Sequence, residues 1–327
     1  IFLKMRIEKL KYEVLEDGKN LKLMQFKLKK ITSDASFREF FRLYKGKKTS
    51  IIVTAKKEVF KNLILYLAIN KFLQKNGIYT PKLISQHFKE GIVEIEDLGN
   101  NTLLHFVKKS KNKFSIYKKC VDVILKIQKI KPIKKIKLRS NKYYKLKSYN
   151  TNNLHRESNL FLDWYLPGVI GKKKSLKYKK IIKKELNKLY KKISFKNQFI
   201  VHRDFHVSNI IPTKKKLGII DTQDTILGNP MYDVAYVLSD LNREGTDLLS
   251  NLVPKEVFYE VYQSESGFDI DEKSCEYYNK LYAMRSCAFW MSAASLYESG
   301  ASTDLRLART AWSVPVVLDR AARDLGY

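Results

Sequence analysis

The chain has 327 residues, 44% of them hydrophobic, which excludes a disordered or fibrous protein and allows a sizeable core. That length exceeds what one core usually supports, so two lobes are expected. The formal net charge of +30 is uneven: residues 1–216 hold 54 Lys and Arg against 16 Asp and Glu, residues 217–327 only 9 against 17.

Residues 1–30 alternate in part between polar and apolar, as in Lys22 to Lys30, and predict one or two strands. Residues 34–57 (DASFREFFRLYKGKKTSIIVTAKK) read as a hairpin with its turn at Lys45 to Lys48 and a buried strand at Ile51 to Thr54. Residues 58–76 fit a helix with Val59, Leu63, Leu67 and Leu73 as apolar positions, ending near Asn76-Gly77. A second hairpin follows at 82–85 and 91–96, and Asp97-Leu98-Gly99 reads as a hinge. Helical spacing runs from Leu103 to Ile130, and a Lys-rich exposed connection follows from Pro132 to about Lys147. Residues 157–170 carry an aromatic stripe at a spacing usual for core, and residues 177–193 read as a basic amphipathic helix. A helix starting at Asp233 and others at about 254–264, 272–297 and 302–323 complete the series.

The chemistry lies between two of these elements, in HRDFHVSNIIPTKKKLGIIDTQD from His202 to Asp224. Here Asp204, Asn209 and Asp221 surround a short strand–loop–strand unit. Phosphoryl transfer from ATP needs three such groups. One carboxylate orients or accepts the proton of the attacking hydroxyl, while an amide oxygen and a second carboxylate hold Mg²⁺ on the phosphates. The spacing His-x-Asp-x₄-Asn, followed by an Asp that closes an apolar strand, is the kinase catalytic-loop and metal-loop pattern. Singly these are common turn residues, but two unrelated hairpin ends would not need these offsets. Asp204 is therefore the candidate catalytic residue, Asn209 and Asp221 the candidate metal ligands, and ATP and Mg²⁺ the expected cofactors. His202 reads as a residue that packs the loop, and His206 has no partner at metal-ligand spacing.

HRDFHVSN, IIDTQD and GNPMYDVAYVLSD together resemble the aminoglycoside phosphotransferase and choline kinase-like superfamily. With DASFREFFRL (34–43), EIEDLG (94–99) and LFLDWYL (160–166), the chain is similar to the bacterial cell-wall amino-sugar kinases. Those enzymes phosphorylate the anomeric hydroxyl of N-acetylmuramate or N-acetylglucosamine during peptidoglycan recycling. The resemblance covers roughly residues 20–245. It implies an α+β, protein-kinase-like bilobal fold. Residues 1–98 would form a small β-rich nucleotide-binding lobe and residues 99–327 a large, mainly helical catalytic and substrate lobe.

The same resemblance assigns further residues. Thr32 to Ser36 stands where kinases lay a Gly-rich loop over the phosphates, making Asp34 and Ser36 candidate ATP contacts; an ordinary Ser/Thr-rich turn is the competing reading. The usual kinase strand lysine is missing, and Lys56 is the candidate substitute. Asp97 lies in the hinge whose backbone meets adenine in kinases, against the alternative of a turn residue before Gly99. Asp224 belongs to a Gln-Asp pair shared with the sugar kinases, and it is a candidate sugar contact. Asp163 and Trp164 are candidates to orient and stack on the sugar, although core packing is the favoured reading of Trp164. Asp233 reads as a carboxylate at a helix N-terminus.

The expected function is ATP-dependent phosphorylation of a small-molecule hydroxyl, with an amino sugar as partner. A kinase for another alcohol or an aminoglycoside is the alternative, because the Lys-poor segment after residue 245 resembles other small-molecule phosphotransferases more. A non-catalytic kinase-like binding protein is a further alternative, since both the strand lysine and its helix Glu partner are missing. Nucleic acid is not an expected partner despite the charge, since the cations are mostly scattered lysines and no reading module is present. Cys120, Cys275 and Cys287, odd in number and without CxxC spacing, fit a cytoplasmic protein with reduced thiols. No apolar run reaches the roughly 20 residues of a membrane span.

Overall fold

A computed structural model describes residues 26–31, 38–55, 60–138, 142–195, 198–214, 216–243, 255–300 and 305. They fall into two compact units: the described residues of Ile1–Leu67 with Pro81–Leu98, and those of Ala68–Thr80 with Gly99–Tyr327. Residues 68–80, expected in the first lobe, thus belong to the second unit.

The first unit is a five-stranded antiparallel sheet in the order β1-β2-β3-β5-β4. Its strands are β1 (Phe26–Ile31), β2 (Arg38–Lys45), β3 (Lys48–Ala55), β4 (Leu83–His87) and β5 (Ile92–Glu96). Lys45 pairs with Lys48 across the two-residue loop Gly46-Lys47, and Gly46 takes the positive φ (+58°) that such a tight hairpin requires. Alternate residues of β3 serve opposite faces. Ile51, Val53 and Ala55 join Val93, Ile95, Leu63 and Tyr66 in one cluster, whereas Ile52 joins Phe41, Leu43 and Ile92 in another. Each buried Val, Leu or Ile among them contributes on the order of 1.5–3 kcal/mol. Leu63 and Tyr66 come from helix α1 (Phe60–Lys75), which ends in a turn where Ile78 N–H donates to the Leu73 carbonyl at 3.0 Å and Gly77 has φ +82°.

One carboxylate stitches four strands of this sheet. Glu94 of β5 accepts from Ser50 of β3 at 2.6 Å, Lys45 of β2 at 3.0 Å and Ser85 of β4 at 3.2 Å.

In the second unit the helical stretch expected from Leu103 to Ile130 is two helices, α2 (Leu103–Lys109) and α3 (Lys113–Gln128). The break has a local cause: Asn112 accepts from Ser115 N–H at 3.0 Å and caps a new start. The connection expected to be exposed contains a small hairpin, β6 (Lys135–Lys137) and β7 (Tyr143–Lys145), which buries Ile136; Leu146, just past β7, is buried as well. Helix α4 (Thr151–Leu160) begins in a reciprocal Asn150/Asn153 cap. It runs through a π-turn at Phe161–Tyr165 into α5 (Leu166–Ile170), followed by α6 (Lys172–Tyr190).

Four three-residue strands come next: β8 (Phe199–Val201), β9 (Ile210–Pro212), β10 (Leu217–Ile219) and β11 (Ile226–Gly228). Helices α7 (Met231–Arg243), α8 (Lys255–Ser266) and α9 (Glu272–Glu298) follow, and α9 packs on α7 and α4. The helix expected at 302–323 lies outside the described residues. Among the described residues no helix is long and apolar enough to cross a membrane.

Candidate active site

The segment from His202 to Asp224 is held at both ends by one strand pair. β8 and β11 run antiparallel with Val201 opposite Ile226, so the chain leaves and returns at neighbouring points. Between them, β9 and β10 form a hairpin, and Ile220 N–H donates to the Asn209 carbonyl at 3.0 Å. That bond brings Asp221, the next residue, beside Asn209. Asn209 Nδ2 in turn donates to Asp204 Oδ2 at 2.7 Å and to the Asp204 carbonyl at 3.0 Å. The other carboxylate oxygen, Oδ1, accepts from the Tyr236 hydroxyl at 2.8 Å. Gln223 Nε2 donates to Asp221 Oδ1 at 2.8 Å. Asp204 and Asn209 are thus hydrogen-bonded to each other, and Asp221 is set beside them through the backbone bond of its neighbour Ile220.

The backbone here is strained. Among the described residues, the non-glycine positions with positive φ are Arg203 (+71°) and Asp221 (+61°), each next to or within this set of three. Such conformations cost of order 1–3 kcal/mol each and persist only where the surroundings enforce them. Much of the enforcement comes from Asp233, in the first turn of α7. Its carboxylate accepts from the backbone N–H of His202 at 2.7 Å and of Arg203 at 2.9 Å. Asp233 is fully buried, and that burial raises its pKa against the opposing pull of His202 and the two N–H donors. The His202 ring spans the loop: Nδ1 accepts from Asp204 N–H at 3.2 Å and Nε2 faces the Ile220 carbonyl at 3.1 Å. With Nδ1 accepting, Nε2 is the ring nitrogen left to donate to the Ile220 carbonyl.

The side chain of Arg203 turns into the protein. It pairs with Glu157 of α4 and lies over the rings of Tyr149 at 5.5 Å and Tyr232 at 5.8 Å. Arg285 of α9 approaches the same carboxylate at 3.7 Å and donates to the Tyr232 hydroxyl, while Tyr149 donates to Glu157 at 2.7 Å. Burial disfavours the charge on Arg203, but Tyr232 and Glu157 outweigh it and raise the pKa.

The other sequence candidates are placed differently. Asp224 ends the turn after Asp221 and is exposed, close enough to Tyr144 of β7 to help raise that phenol's pKa, which burial raises most. Asp163 pairs with Lys179 of α6. Trp164 is 46% exposed, so the packing role favoured from the sequence is corrected. The reason is the π-turn, whose wider winding stacks Phe161 on Tyr165 at 4.9 Å and leaves Trp164 facing solvent. In the first unit, the Asp97 carboxylate accepts from Arg42 Nε at 2.6 Å and Nη2 at 2.9 Å, a buried bidentate pair that occupies the side chain structurally. Asp34, Ser36 and Lys56 lie outside the described residues.

Sequence reasoning missed Glu157, Tyr236 and Arg285. A signal existed for two of them. Glu157 is a lone acid in the buried stripe Leu154, Glu157, Ser158, Phe161, and Tyr236 falls one turn after Asp233 on the same helix face.

The donor set suits a hard cation. Asn209 Nδ2 is engaged with Asp204, which leaves its amide oxygen as acceptor, and Asp221 supplies a carboxylate. Mg²⁺ is commonly held by one or two such protein oxygens, with phosphates and water completing the octahedron. Among the described residues no cluster of three or more His, Cys, Asp or Glu could hold a metal without such help.

An antiparallel five-stranded sheet in one unit and a mainly helical second unit define the protein-kinase-like α+β class. The sequence model of the phosphotransferase enzyme family matches residues 27–253, and the chain belongs to that family. A spectinomycin phosphotransferase, solved in complex with ADP and spectinomycin, superposes with a TM-score of 0.64 at 14% identity and covers 98% of both chains. The ethanolamine kinase of Plasmodium vivax superposes with a TM-score of 0.61 at 13% identity, covering 97% of this chain and 94% of its own. Both likenesses concern the fold. An N-acetylmuramate/N-acetylglucosamine kinase from Pseudomonas putida is 26% identical over 209 residues, 64% of this chain and 58% of the relative. The chain therefore spans less than two thirds of that relative's length.

Proposed function

We propose that the chain is an ATP-dependent kinase that phosphorylates the anomeric hydroxyl of an N-acetylated amino sugar. The observation that carries this reading is the set of Asp204, Asn209 and Asp221, in a chain whose curated relative bears an amino-sugar kinase name. Asp204 acts as the base. Its carboxylate is oriented by two hydrogen bonds before substrate arrives, and it receives the acceptor's proton as the new oxygen–phosphorus bond forms and the bond to the leaving ADP breaks. An anomeric hydroxyl is more acidic than an ordinary alcohol, so one weak base suffices. Asn209 and Asp221 would hold Mg²⁺, which when bound would neutralise phosphate charge.

Asp224, exposed beside the metal ligands, contacts a sugar hydroxyl, and exposed Trp164 is available to stack on the ring, with Asp163 next to it. On the nucleotide side, Asp34, Ser36 and Lys56 are the proposed phosphate contacts and the Asp97 backbone the adenine contact. Cys120, Cys275 and Cys287, all buried and none in a disulfide, support a cytoplasmic enzyme.

A second reading, a kinase for an aminoglycoside or a small amino alcohol, is favoured by the solved structures that match 97–98% of the chain. Incubation with ATP, Mg²⁺ and a panel of acceptors, read by mass spectrometry, separates the two. The panel holds N-acetylglucosamine, N-acetylmuramate, their methyl glycosides, aminoglycosides and choline-like alcohols. The expected result is phosphorylation of the free sugars and none of the methyl glycosides. Equal reaction of a methyl glycoside would move the transfer to another hydroxyl, and reaction of only an aminoglycoside or alcohol would favour the second reading.

A further inference from the structure

Helix α7 grips three consecutive residues of the catalytic segment. Asp233 accepts from the N–H groups of His202 and Arg203, and one turn later Tyr236 donates to the carboxylate of Asp204. The Tyr236 ring is fixed on several sides: it stacks on Tyr232 at 6.0 Å and 17°, meets the edge of Tyr282 at 4.6 Å, and lies 6.0 Å from His206. Tyr236 is 6% exposed, whereas the Asp204 side chain is 25% exposed. The phenol is therefore buried behind a carboxylate that can itself reach solvent and substrate.

We propose that Tyr236 is a positioning residue for phosphoryl transfer, acting through Asp204. The proposal rests on the reading of Asp204 as the base. A carboxylate on a side chain with two rotatable bonds can swing, and a base that swings spends little time facing the acceptor. Asn209 fixes Oδ2 from one side of the loop, and Tyr236 fixes Oδ1 from the helix. Each carboxylate oxygen has two acceptor sites, so these bonds fix the plane of the group without exhausting its capacity to accept the substrate proton. Because Tyr236 shares a helix face with Asp233, the bond also ties the base to the element that holds the strained turn at Arg203.

The test is Tyr236→Phe, which keeps the ring and removes only the hydroxyl. Turnover of the best acceptor in the panel should fall about ten- to a hundredfold, the size of one hydrogen bond to a charged group, with KM for ATP unchanged. In an Asp204→Asn background the same change should have little further effect on the residual rate. Denaturant unfolding of the wild type, both single variants and the double variant should show a coupling between the two positions, and this holds even if the residual rate is too small to read.

Unchanged turnover in Tyr236→Phe, an equal fall in the Asp204→Asn background, a loss confined to KM for ATP, or additive unfolding energies would each overturn the proposal. So would failure of Tyr236→Phe to fold, which would make the residue a packing element. Wild-type turnover in Asp204→Ala would instead remove the base assignment. A normal loss there with an unaffected Tyr236→Phe defeats only the inference about Tyr236.

Discussion

Two buried arginine–carboxylate pairs, one in each unit, do different work. In the first unit, Arg42 on β2 meets Asp97 in a bidentate pair, and its backbone is already fixed by the ladder to β3. Hydrogen bonding to Asp97 raises the Arg42 pKa, and the pair adds to a structure that regular strands specify. In the second unit, Arg203 has left-handed backbone, lies between three-residue strands, and shares Glu157 with a second guanidinium, Arg285. Short ladders cannot specify that turn, so side chains do. Polar groups of the sheet should therefore govern stability, while those around the catalytic segment should also govern turnover.

The largest effect should come from Asp221→Asn. Asparagine tolerates the left-handed conformation, so the fold should survive while loss of the proposed metal carboxylate should cut turnover by orders of magnitude. Steady-state kinetics beside a thermal melt checks this, and an active, normally folded variant would remove Asp221 from the metal site. Next, Glu157→Gln leaves two guanidinium groups without their shared carboxylate and should cost about 3–5 kcal/mol in denaturant unfolding. It should also lower turnover per folded molecule, because the Arg203 turn loosens. A change in stability with full turnover would erase the contrast drawn between the units.

Glu94→Gln, in the sheet, should have the smallest effect and one confined to stability. Burial raises the Glu94 pKa, but hydrogen bonds from Ser50, Lys45 and Ser85 outweigh it and hold it below the ordinary value of 4.5. The folded state then binds fewer protons than the unfolded one in the acid range. The stabilisation is fully present above 4.5 and is lost as pH falls through the lowered native value. Urea midpoints measured from neutral to acid pH should show wild type and variant converging below that point. A constant gap would mean that Glu94 is not held ionised by its neighbours.

How much was legible in the sequence depended on where the partners lie along it. Asp204, Asn209 and Asp221 sit within one stretch whose hairpin is itself visible as apolar runs around a Lys-rich turn, so their proximity could be read directly. Glu157 reaches Arg203 from 46 positions away in the chain and is itself approached by Arg285, 82 positions beyond Arg203, and only packing of α4 and α9 brings these groups together. The aromatic stripe around Trp164 misled because its period assumed 3.6 residues per turn, and the π-turn at Phe161–Tyr165 rotates the phase. Lysines hid the β6–β7 hairpin, although the alternation Lys135-Ile136-Lys137, with only Ile136 buried, carried a strand signal. The sheet of the first unit was the most legible, since aromatic and β-branched residues alternate between its faces.

The central claim is that Asp204 is the base of a small-molecule kinase. The direct measurement is turnover and ATP affinity of Asp204→Ala beside the wild type, with N-acetylglucosamine and N-acetylmuramate as acceptors in the presence of Mg²⁺. Wild type should convert the sugars to their phosphates, and the variant should lose kcat by orders of magnitude while still binding ATP. Preserved kcat, or a loss confined to ATP affinity, would contradict the account.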